Sequence, residues 1–160
     1  MHKEPGQTLK RCPLFANVSV KNLRQIANLA KGRRVAKGNF FFRKGDHPAK
    51  LYVLIKGQVD LHLHTRGEQH VIYKTLNPSD YFGHIAVFGG SPHIFSAQAQ
   101  TEARAIAWDV KGLARVIIDY PEVVRNSLRG IAKESKKLQK LRRLLGQRRS
   151  RTSRRRRSLG

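Results

Sequence analysis

Apolar positions along the chain follow two different periods. Near the start, Leu23, Ile26, Ala27 and Ala30 keep the i, i+3, i+4, i+7 spacing of one helix face, flanked by Leu14 and Leu29. Ser19 stands before this run as an N-cap, and Gly32 lies just past it, where a C-cap glycine is expected. From Arg33 the pattern changes to short β-type runs broken by glycine. Val35, Phe40-Phe41-Phe42 and Leu51-Tyr52-Val53-Leu54-Ile55 are such runs, separated by Lys37-Gly38, Lys44-Gly45 and closed by Lys56-Gly57. Val59, Leu61 and Leu63 then alternate with Asp60, His62 and His64, the period-2 signature of a half-buried strand. Arg66-Gly67 reads as a two-residue hairpin turn, with Val71-Ile72-Tyr73 as the returning strand. Short strands with turn signals between them predict a mainly β fold with flanking helices: an antiparallel, jelly-roll-like β-roll.

After Trp108 the helical period returns. Leu113, Val116 and Ile117 form one face, and Tyr120-Pro121 ends that helix, because proline disfavours helical backbone in the residue before it. Pro121 then suits the first position of a second, long helix. Along it Val124, Leu128, Ile131, Ser135 and Leu138 alternate by four and three, a heptad seam that predicts a homodimer. Leu141 and Leu145 extend the seam loosely, and Gly146 punctuates it. The expected organisation is an N-terminal segment over 1–13, one domain over 14–143 that includes the dimerisation helix, and a disordered tail over 144–160.

Charge changes the picture. The chain has 33 Lys+Arg against 10 Asp+Glu, a net charge of +23. Residues 131–160 carry 13 bases and a single acid, Glu134. Arg148, Arg149, Arg151, Arg154, Arg155, Arg156 and Arg157 are interleaved with Ser and Thr in a stretch too polar to close a core. Such a tail attracts nucleic acid or another polyanion, with salt-dependent binding, or else simply solvates the terminus. Ser150 and Ser158 follow arginine runs in the manner of basophilic-kinase sites, and phosphate there would offset the tail charge. No apolar run approaches the roughly 20 residues of a membrane span, no export signal opens the chain, and one cysteine, Cys12, leaves no internal disulfide. A cytoplasmic protein without an integral membrane segment is expected.

The chemistry-bearing stretch is Phe82-Gly83-His84-Ile85-Ala86-Val87-Phe88-Gly89-Gly90-Ser91-Pro92-His93-Ile94-Phe95-Ser96. It resembles the phosphate-binding cassette of cyclic-nucleotide-binding domains, such as the CRP/FNR-like sensor domains and the kinase A regulatory subunits. Gly45-Asp46, Leu51-Tyr52-Val53-Leu54 and Lys56-Gly57 resemble the family's other turns, in the family's order, and the likeness covers about residues 14–143. It implies a β-roll, dimerisation through the long helix, and a ligand site at Phe82, Gly83, His84, Ile85, Ala86, Gly89, Gly90, His93 and Ser96. In that family a glutamate after Phe-Gly accepts from the ribose hydroxyl, and an arginine binds the cyclic phosphate. Here His84 and His93 occupy those positions, followed by the bulkier Ile94 and Phe95. Losing the charged phosphate partner costs about 1.5–3 kcal/mol, which predicts weak cyclic AMP binding. Three readings of the two histidines remain open: a scaffold kept without its ligand, a different small anion, or a metal or haem. No cofactor is implied, with a cyclic nucleotide or another small anion as the candidate ligand.

Other candidates compete with plainer accounts. His62 and His64 share a strand face, and His70 joins them only across a hairpin loop with an odd number of residues. The two-residue turn sends His70 the other way, which leaves a polar strand face rather than a zinc site. Cys12-Pro13 resembles haem-regulatory pairs, but a dipeptide this short is better read as a simple turn. No catalytic dyad, triad or P-loop is present, so no enzyme activity is expected. CRP/FNR-like regulators continue into a helix-turn-helix domain, for which the residues after the long helix offer no room. The expectation is therefore a non-catalytic regulatory or ligand-sensing module, linked to signalling or transcription through a partner that supplies the output. The alternative is a nucleic-acid-associated protein whose β-roll is a dimeric scaffold for the basic tail.

Overall fold

A computed structural model describes the backbone of residues 5–65 and 70–157, with side chains through residue 146. The chain divides into two units, Met1–Ser127 and Leu128–Gly160. The first holds eight strands in two four-stranded antiparallel sheets. One sheet contains β1 (Lys31–Val35), β8 (Ala103–Asp109), β3 (Lys50–Lys56) and β6 (Tyr81–Phe82), in that order. The other contains β2 (Phe40–Phe42), β7 (Phe95–Ala99), β4 (Val59–His64) and β5 (His70–Leu76). This is the β-roll expected from the alternation, flanked by α1 (Pro5–Arg11), α2 (Val20–Asn28), α3 (His84–Gly89) and α4 (Val110–Asp119) and followed along the chain by a long α5 (Pro121–Arg157).

The helices at one end close the main core. Leu23 and Ile26 of α2 and Leu113 and Val116 of α4 pack with Leu51, Val53 and Trp108, and Val123 at the start of α5 joins them. Trp108 is 1% exposed and donates its indole N–H to the Ile26 carbonyl at 2.9 Å, so its one polar atom is satisfied inside the core. Ser19 caps α2 by accepting from the Asn22 N–H at 3.2 Å, as its position predicts.

Several expectations need correction. Gly32 does not cap α2: the helix ends at Asn28, and Gly32 lies inside β1 opposite Ile106. Residues 5–15 contribute α1 and a single 3-10 turn over Pro13–Phe15, and they bury Leu9, Cys12, Leu14 and Phe15 in the same core. The hairpin between β4 and β5 pairs His64 with His70, so five residues connect the strands, not two. The two-residue turn would have set His70 opposite Leu63 and turned it to the core face. The observed register pairs Leu63 with Val71 and keeps the apolar residues together. Arg66 and Gly67 themselves lie outside the described residues.

Helical backbone also continues through Gly146 to Arg157, where composition predicts an unstructured tail. Arg, Leu, Lys and Gln are good helix formers, and one interior glycine costs only about 1 kcal/mol, too little to end the helix. The side chains of Arg148, Arg149, Arg151 and Arg154 to Arg157 lie outside the described residues, as do residues 158–160.

Candidate functional site

The cassette begins where β6 runs into α3. Gly83 makes that turn with φ +83°, and a Cβ there would come within 2.9 Å of the Lys50 carbonyl oxygen, so only glycine fits. The turn aims His84, the first residue of α3, inward, and it is 3% exposed. Its ring meets the Tyr81 ring edge-on at 4.7 Å. Burial, with a smaller contribution from the neighbouring Lys74 ammonium, pushes the His84 imidazole down to about 4. Ala86 is buried behind it, Ile85 is half-buried, and Gly89 and the left-handed Gly90 close the short helix in the open.

His93 arrives from the far side of the loop. Its backbone exchanges two hydrogen bonds with the turn after β2: Gly45 N–H donates to the His93 carbonyl at 2.8 Å, and His93 N–H donates to the Asp46 carbonyl at 3.0 Å. The ring lies 6% exposed against Phe42, and burial lowers its pKa despite the opposing pull of Asp46. Both imidazoles that replace the family's charged partners are therefore buried and held below the usual histidine range. Neither offers the fixed positive charge that an arginine would bring to a phosphate.

β7 then separates the remaining cassette residues by its alternation. Phe95, Ala97 and Ala99 face inward, and Phe95 stacks on Tyr73 of β5 with ring centroids 4.8 Å apart. Ser96 points to the opposite face. Its Oγ accepts from the Lys44 backbone N–H and shares a hydrogen bond with His64 Nε2, each at 3.0 Å. The structure thus brings Gly83, His84, Ala86 and Phe95 to the inner side of the roll and takes Ser96 out of that group. Lys74 and Tyr73 were missed from the sequence. Their inward placement follows from a register shift between Leu61 and His62 that no local pattern announces.

On the outer face the corrected hairpin register gathers three histidines. His64 and His70 meet edge-on at 4.4 Å, and His62 and His70 at 6.4 Å. Among the described residues, no group of three His, Cys, Asp or Glu side chains is placed to hold a metal ion. Cys12 is buried, and desolvation pushes its thiol up to about 12, which keeps it from acting as a thiolate ligand.

The dimerisation candidates lie along α5 in different settings. Leu128 is 61% exposed, Val124 and Ile131 are half-buried, and Leu138 is buried at 8%. Among the described residues, no helix is long and apolar enough to cross a membrane.

Comparison with known proteins agrees with this fold. Residues 32–120 match a family model described as "Cyclic nucleotide-binding domain". Over 127 residues the chain is 27% identical to the CRP-like cAMP-activated global transcriptional regulator of Mycobacterium tuberculosis, covering 79% of this chain and 57% of that protein. The catabolite activator protein of Thermus thermophilus has a TM-score of 0.78 at 22% identity, over 84% of this chain and 63% of that one. The regulatory subunit of a cAMP-independent protein kinase A from Trypanosoma brucei has a TM-score of 0.70 at 15% identity, over 78% and 44%. The chain spans a little over half the length of this curated relative.

Proposed function

The chain belongs to the cyclic nucleotide-binding domain family, and we propose that it acts as a non-catalytic regulatory module whose inner pocket does not hold cyclic AMP tightly. One observation carries this reading: the positions that the family resemblance assigns to a ribose-binding glutamate and a phosphate-binding arginine hold two buried imidazoles of lowered pKa. The loss of a charged hydrogen-bond partner is worth about 1.5–3 kcal/mol at the phosphate alone. The stacked Tyr73–Phe95 pair adds bulk on the same inner face. The fold does not by itself require the nucleotide, since the Trypanosoma brucei protein that shares it is the regulatory subunit of a cAMP-independent kinase.

The module works as a homodimer through α5, in a cytoplasmic setting, and passes its state to a partner linked to signalling or transcription. The exposed Leu128 and the half-buried Val124 and Ile131 support the dimer. A second reading rests on the +12 charge of residues 131–160: contact of the basic tail with nucleic acid, with the β-roll as its scaffold. Thermal unfolding with cyclic AMP and cyclic GMP tests the main reading. A ligand present at about 100 times its Kd stabilises by about 2.7 kcal/mol, so millimolar nucleotide would shift the transition clearly if binding were tight. No shift is expected, and a large one overturns the proposal.

A further inference from the structure

The outer face of the second sheet carries a basic hollow that the family's inner pocket does not account for. Its cavity of about 490 Å³ lies within the 300–1,000 Å³ range of small-molecule sites. Arg43 and Lys44 line it from the turn after β2, His62 and His64 from β4, and His70 from β5, with Ser96 at its floor. Among the described residues, no carboxylate lines it. Two acids on the same elements are already engaged: Asp46 accepts from the Arg43 backbone N–H at 2.9 Å, and Asp60 accepts from Thr75 Oγ1 at 2.7 Å. Ser96 is 5% exposed and ties the Lys44 backbone to the His64 ring, so the wall that carries the charges is fastened to the sheet. Arg43 lies over the Phe40 ring at 4.1 Å, which directs its guanidinium along the same side.

We propose that this hollow is an anion site for a small phosphorylated ligand, with the phosphoryl group among Arg43, Lys44 and the three histidines. A guanidinium, an ammonium and imidazole N–H donors converging without a carboxylate are the chemistry that recognises a phosphate dianion. The pH dependence follows from the same groups. His64 lies beside His70, Lys44 and His62, and its protonated form is disfavoured by desolvation and by those neighbours. A bound dianion reverses that repulsion, so protons and ligand bind together, and affinity rises as pH falls and goes on rising below the ordinary histidine value of about 6.5.

Histidine Cε1–H resonances of the full chain, followed by NMR during titration with AMP and with inorganic phosphate, test the site. Sulfate, whose charge is constant over this range, separates titration of the protein from titration of the ligand. The expected result is movement of the His62, His64 and His70 signals, with sulfate binding about tenfold tighter near pH 6 than near pH 8. Arg43→Gln/Lys44→Gln changes two exposed side chains and should weaken all three ligands at least tenfold. Movement of the outer histidine signals with those of His84 and His93 unmoved separates the hollow from the inner pocket. AMP moving these signals further than inorganic phosphate assigns a nucleotide to the hollow, and equal movement assigns the phosphoryl group alone. Unmoved outer histidines at millimolar ligand near pH 6 would overturn the proposal. So would binding that survives the double substitution, or a response to zinc without a response to phosphate.

Discussion

His93 lies flat on Phe42, with ring centroids 3.7 Å apart and planes 10° from parallel. A planar guanidinium stacks on an aromatic face in the same way, so this packing accommodates an arginine without rebuilding the turn. An imidazole fills that space without supplying a permanent charge. The loop is also held by two backbone hydrogen bonds between residue 93 and the turn at Gly45 and Asp46, independent of the side chain. The scaffold of the cassette and its chemistry are therefore separable.

The burial of His84 makes stability pH-dependent with a definite sign. Its folded pKa is about 4, below the ordinary histidine value near 6.5, so the unfolded chain binds the extra proton first. Its contribution is fully present above about 6.5 and is lost as pH falls toward 4, at about 1.4 kcal/mol per unit. Urea unfolding should show the wild type losing about 2 kcal/mol from this group between about pH 6.5 and pH 5. His84→Gln should flatten that slope, and an unchanged slope would show that the imidazole titrates freely.

Much of the fold was legible because local signals and burial agree. The alternation of Val59, Leu61 and Leu63, the apolar run over residues 51–55 and the Ser19 cap all appear where the pattern puts them. The alanine-rich strands β7 and β8 were not separately legible, since Ala97, Ala99, Ala103 and Ala105 favour helix intrinsically and become strand through packing. The meeting of His64 and His70 depends on a five-residue connection and a register shift, which are tertiary facts. The cassette residues were legible from their order in the chain. That Ser96 faces outward while His84 is buried could only be read from the folded strand and helix.

Dimerisation is tested at Leu128. The side chain is 61% exposed in the single chain, so Leu128→Asp should change the stability of the isolated protomer by no more than about 0.5 kcal/mol, and any further loss reports the dimer. In sedimentation the wild type should run as a dimer and the variant as a monomer. A wild type that stays monomeric at high micromolar concentration contradicts the seam.

Removal of residues 147–160 takes away seven arginines. If they contact duplex phosphates, the dependence of log affinity on log salt should become shallower by up to about 6, at about 0.9 per phosphate neutralised. An unchanged slope would place polyanion binding elsewhere on the chain.

Calorimetric titration with cyclic AMP, comparing the wild type with His84→Glu/His93→Arg, tests the central claim that the inner pocket has lost its ribose and phosphate partners. The wild type should bind weakly or not at all, and the double variant at least tenfold more tightly, about 1.4 kcal/mol. If the Phe95 ring adds a steric block, Phe95→Ala in the double variant should raise affinity again. Submicromolar, pH-independent binding by the wild type would contradict the account.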